Sequence, residues 1–151
     1  MNLNDNPRGG TMCLSCVGLA VDASAKADAE TLANFAYAIN GLTYNKTSGD
    51  GDVQLDGHTV TAGYTALFLI VINAAGTITA VKSTEVANAD IASGEAVLHW
   101  PEPTANTCPI GAIKIKNATA SVFTGGTTTL DASDITTTYY NLLTVPTTPL
   151  T

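Results

Sequence analysis

Cys13-Leu14-Ser15-Cys16 places two thiols at the two-residue spacing of a metal knuckle, a spacing that lets two sulfurs reach one ion from a single tight turn. A closed structural site needs four ligands, and only Cys108, His58 and His99 remain to complete it, with no second knuckle in the chain. Three cysteines, an odd number, instead suggest free thiols that serve as small buried or interface residues. Asp50, Asp52 and Asp56 in TSGDGDVQLDGHTV invite a calcium reading. Gln54 would supply the fifth-position ligand, but the twelfth position holds Thr61 where a bidentate glutamate is needed. Asp-Gly turns account for the same residues more simply, so no metal site is expected.

Acid-base catalysis needs titratable side chains that converge in a pocket. His58 lies in a glycine-flanked loop and His99 stands beside Trp100, neither within a recognisable motif. No Gly-x-Ser-x-Gly elbow occurs, and Cys108 before Pro109 has no catalytic signature around it. Gly125-Gly126-Thr127 lacks the following Gly-Lys-Thr of a phosphate loop, with no basic residue close by in the chain. The expectation is a non-enzyme without a cofactor.

Charge narrows the partners. The formal net charge is −7 with six basic residues in 151, whereas nucleic-acid binding draws most of its affinity from clustered Lys and Arg. Neither nucleic acid nor an anionic membrane surface is expected. Hydrophobic residues make up 45% and charged residues only 13%, so the surface must be poor in charge, which suits packing against other subunits. The N-terminus MNLNDNPRGGTMC shows no apolar signal segment, and the longest apolar run, ALFLIVI at 66–72, is too short to cross a bilayer as a helix. Synthesis in the cytoplasm is expected, which deprives the glycosylation sequons at Asn45 and Asn117 of meaning.

A length of 151 residues suits one domain. Residues 1–16 carry Pro7, Gly9 and Gly10 between isolated apolar residues Leu3, Met12 and Leu14, without a period of 2 or 3.6; they read as an extended arm before a single β domain over 17–151. Asn40-Gly41 is a two-residue hairpin turn between strands at 34–39 and 42–46, while the Ala-rich stretch 24–33 leaves a helix as the alternative. A short strand is expected around Val53 to Leu55. The run from Tyr64 to Ile72 reads as the central buried strand, followed by a hairpin into 77–82. Residues 83–96 suit a helical turn or a long loop. Pro101 and Pro103 force extended backbone after Trp100, an anchor for either core or interface. Further strands are expected over 110–116, with Ile113 and Ile115 inward, and around 135–140. Short strands punctuated by Gly, Asn and Pro argue for an all-β sandwich or barrel of antiparallel strands.

Cys-Pro-Ile-Gly-Ala-Ile-Lys-Ile at 108–115, followed by Phe-Thr-Gly-Gly-Thr-Thr-Thr-Leu-Asp-Ala-Ser-Asp at 123–134, resembles a pattern of tailed-bacteriophage virion proteins. Upstream, the aromatic hairpin at 35–44, the Gly-Thr hairpin at 73–79 and Leu98-His99-Trp100-Pro101 agree with the same pattern in order, so the likeness spans roughly 34–140. The resemblance implies a capsid decoration (cement) protein on the virion surface, binding the major capsid protein and copies of itself, most simply as a trimer. On that reading Leu3, Arg8, Met12 and Leu14 of the arm, with Trp100, form the shell or subunit interface. The alternatives are a tail, neck or head-fibre component for attachment, and a carbohydrate-binding module with Trp100, Tyr44 and Tyr64 as a sugar-stacking face.

Overall fold

The apolar run after Tyr64 holds β-branched and aromatic residues with neither Gly nor Pro, a composition that crowds a helix and suits a pleated surface. In the computed structural model, which describes residues 10–150, it forms a strand over Tyr64–Asn73 in which every residue from Thr65 to Ile72 is buried. Such a strand needs partners on both edges and cover on both faces.

The elements before it are β1 (Met12–Cys13), β2 (Leu19–Val21), β3 (Ala29–Thr31), β4 (Phe35–Ile39), β5 (Leu42–Lys46), β6 (Gly49–Val53) and β7 (Thr59–Val60), with the central strand as β8. After it come β9 (Ile78–Lys82), β10 (Val86–Ala87), the short helix α1 (Asn88–Ser93), β11 (Thr107–Asn117), β12 (Phe123–Thr124) and β13 (Ile135–Asn141). With 45% strand and 4% helix the described chain is all-β, and every strand pairing is antiparallel.

The main sheet runs β10-β8-β11-β13, with β9 alongside β8. Its inner face presents Ala66, Phe68, Ile70 and Ile72 from β8 and Cys108, Ile110, Ile113 and Ile115 from β11. Against them pack residues of three smaller sheets, β1-β4-β5, β2-β3-β6 and β7-β12, chiefly Cys13, Leu19, Phe35, Tyr37, Ile39, Val53 and Phe123, together with Leu55 from the β6–β7 connection. This is a β-sandwich of short strands. Each fully buried Leu, Ile, Val or Phe contributes about 1.5–3 kcal/mol. The Tyr37 hydroxyl ties the layers together by donating to the Asn73 carbonyl at 3.0 Å.

The stretch CPIGAIKI contains a conflict of parity, since Cys108 and Ile110 occupy even positions while Ile113 and Ile115 occupy odd ones. The structure resolves it with a bulge between Pro109 and Gly111 in the β11–β8 ladder, which restores inward alternation beyond one extra residue. Pro109 has no N–H to lose from a ladder there. Gly111 is required because a Cβ would overlap Leu19 and the Tyr140 carbonyl.

Several expectations change. Of the predicted arm 1–16, residues 10–16 belong to the domain: β1 pairs Met12 with Ala38 and Cys13 with Tyr37, and Cys13 is buried in the core. Leu3 and Arg8 lie outside the described residues. The Ala-rich stretch forms β3 rather than a helix, because Ala29 and Thr31 face buried positions against β2 and β6. The strand expected at 53–55 lies earlier, at Gly49–Val53. Residues 83–96 hold both β10 and α1. The Asn117 sequon is buried, its side-chain nitrogen donating to the carbonyls of Val60 and Ser121 and its oxygen accepting from Thr119.

Gly125 sits against the Leu55 carbonyl so closely that a Cβ would overlap backbone atoms, whereas Gly63, at φ 79°, faces open space. Gly125→Ala is expected to cost about 3 kcal/mol and Gly63→Ala about 1 kcal/mol of backbone strain. Urea denaturation of the two variants checks the order.

Candidate functional site

Alternation along β8 sends Leu67, Leu69 and Val71 to the face opposite the main core, where they are nonetheless fully buried. Leu69, Ala112 and Tyr140 are in register across β8, β11 and β13, forming one row on that outer face. Part of the cover comes from α1, whose Ile91 and Ala92 line a hollow with Thr65, Lys114 and Lys116. The rest belongs to two extended segments that clasp each other: Leu98 N–H donates to the Leu150 carbonyl at 2.8 Å and Leu150 N–H returns the bond at 2.9 Å. Leu98 is completely buried. Trp100 contacts the Tyr140 ring edge-on at 6.0 Å and donates its indole N–H to the Thr148 carbonyl at 2.8 Å.

Trp100 is therefore an internal staple that also faces outward. Beyond the clasp the segments diverge into a groove of about 460 Å³ lined by Trp100, His99, Glu102, Pro103, Pro146 and Pro149, among others. The partnership between LHWPEP and VPTTPL was not recognised from sequence. Its only signal is that both stretches combine one or two aliphatic residues with prolines that forbid regular pairing.

A second surface feature lies along β1. Cys13 points inward and Met12 and Leu14 point outward, as strand alternation requires, and both are exposed. Leu14 N–H donates to the Ala36 carbonyl at 2.8 Å, and Cys13 N–H donates to the Leu143 carbonyl at 2.9 Å. Leu143, also exposed, thus flanks β1 on the side away from β4. Of the five predicted interface residues, the structure sets Met12 and Leu14 side by side on this seam and Trp100 on the outer cover.

Of the residues weighed for metal chemistry, Cys13 lies near enough to both Cys16 and Cys108 for their charges to interact, while the histidines and aspartates are held elsewhere. Cys13 and Cys108 are buried while Cys16 is exposed, His58 packs edge-on against Phe68 at 5.5 Å, and His99 faces the groove. Asp52 accepts from the Thr31 N–H and hydroxyl where the β3–β6 register shifts, and Asp56 lies against Gly126. Among the described residues no group of three or more His, Cys, Asp or Glu is arranged to hold a metal ion. The three aromatics considered for sugar stacking are also apart. Tyr44 stacks on Tyr37 in the β1-β4-β5 sheet. Tyr64 opens β8, five residues or about 17 Å along the strand from the row that meets Trp100. Compared with protein families, curated proteins and solved structures, the chain matches none of them.

Burial pushes the Cys108 thiol up to about 12 and raises Cys13 as well, and the thiolate is the reactive form. A disulfide reagent at mildly alkaline pH is expected to titrate one thiol of the three in the native protein, Cys16, and all three after denaturation.

Asp28 keeps one carboxylate oxygen buried without a hydrogen-bond partner. Burial, then the charges of Asp56 and Asp22, raise it above the ordinary 3.8. The folded state then binds a proton more readily than the unfolded state, so this group costs stability progressively as pH rises through that window and fully above it. Asp28→Asn is expected to raise the melting temperature at neutral pH, with the gain disappearing as pH falls below the carboxylate range. Thermal melts of both proteins across pH check the sign.

Proposed function

We propose that the protein is a non-catalytic structural component of a bacteriophage virion, a decoration protein that binds the outer head shell as a homo-oligomer, with a trimer the expected assembly. The observation that carries the reading is the seam of exposed Met12 and Leu14, set on a hydrogen-bonded segment whose Cys13 faces the core, with exposed Leu143 on the neighbouring segment that accepts from Cys13 N–H. Apolar side chains fixed on a rigid strand lose little entropy on docking. A surface with only 13% charged residues in the whole chain lowers the desolvation cost of packing against another protein. The ordered likeness of the 34–140 motifs to tailed-bacteriophage virion proteins supplies the setting. A protein that binds the assembled shell and not its free subunits stabilises the shell by mass action.

Cys13 belongs to the core, so truncation must stop short of β1. Removing residues 2–9 tests the contribution of Leu3 and Arg8, while Met12→Asp combined with Leu14→Asp tests the seam without disturbing buried positions. The double substitution is expected to weaken co-sedimentation with assembled shells about a hundredfold, from two apolar contacts of about 1.5 kcal/mol each, with the melting temperature unchanged. Undiminished shell binding by both variants would sink the docking role of this surface.

A further inference from the structure

The groove beyond the Leu98–Leu150 clasp has a chemistry of its own. Trp100 has already given its indole N–H to Thr148, so toward the groove it offers only its π surface. Pro103, Pro146 and Pro149 in the walls have no N–H and offer ring carbons and carbonyl acceptors, and His99, Val145 and Thr147 complete the lining, His99 and Thr147 with side chains that can also donate. Glu102 adds an exposed carboxylate, and no Lys or Arg lines the space. An aromatic face, a carboxylate and acceptor-rich walls on a chain of net charge −7 repel anions and attract a cation that carries several donors. A guanidinium fits this set better than an ammonium, because it is planar, stacks on an indole and presents paired donors to a carboxylate. The volume of about 460 Å³ exceeds one side chain and leaves room for the residues that flank it.

We propose that this groove docks an arginine-bearing extended segment of a partner protein, with the guanidinium stacked on Trp100 and paired with Glu102. The identification of that partner as a shell subunit rests on the structural reading above; the recognition chemistry does not.

Trp100 is the only tryptophan, so its fluorescence reports the groove directly. The probe is acetyl-Gly-Arg-Gly-amide, titrated against its citrulline counterpart, which keeps the shape and loses the charge. The arginine peptide is expected to give a saturable change that weakens with added salt. The citrulline peptide, and Glu102→Gln titrated with the arginine peptide, are each expected to bind about tenfold more weakly. Glu102 is exposed, so its variant should melt with the wild type. Absence of a saturable response, equal affinity for the two peptides, or preferential binding of a neutral oligosaccharide that survives Glu102→Gln would each overturn the proposal. The peptide assay contains no shell protein, so failure of shell docking with retained peptide binding separates the two readings.

Discussion

An unbroken apolar strand in a chain of this size has to be covered twice, and the pairing of β8 with β11 makes that demand on everything around it. The inner face of the pair is met by three small sheets, which supply the main core. Among the described residues, no sheet covers the outer face. It is closed by α1 and by two proline-bearing segments whose regular pairing is limited to the Leu98–Leu150 bridge. Because proline cannot extend a ladder, the segments separate beyond that bridge, and the groove beside Trp100 is the result. The same constraint that stabilises the fold thus leaves a shaped, acceptor-rich opening on its surface.

Hydrophobic periodicity and turn chemistry made much of the fold legible. The Asn40-Gly41 hairpin has both turn residues at positive φ, 51° and 80°, as such a turn requires; β8 lies where the unbroken apolar run puts it, β9 where alternation puts it, and β13 at the expected last strand. The N-terminal residues 10–16 misled because β1 is two residues long and too short to show a period, and its fixity comes from bonds to Ala36 and Leu143 far along the chain. Local helix propensity in the Ala-rich stretch lost to tertiary pairing. The bulge in β11 was written in the parity conflict of CPIGAIKI, but choosing between a bulge and a twist of the strand needed the partner register.

The candidate surfaces were less legible still. Met12, Leu14 and Trp100 were visible as apolar residues in unusual settings, but Leu143, Glu102 and the walls of the groove acquire meaning only through contacts between distant segments. Several of the histidines, cysteines and aspartates that suggested chemistry in the chain are spent on packing and hydrogen bonds: His58 on Phe68, Cys13 and Cys108 in the core, Asp52 on Thr31. Apolar side chains left exposed, Met12, Leu14 and Leu143 among them, stand within a surface that is otherwise mostly uncharged and polar.

The proposed decoration role is tested most directly by searching purified tailed-phage particles for this chain by quantitative mass spectrometry and measuring its copy number relative to the major shell protein. A decoration protein is predicted at a number comparable to the shell protein. Absence from the particles would contradict a virion role altogether, and a few copies per particle would contradict shell decoration in favour of a neck, tail or vertex position.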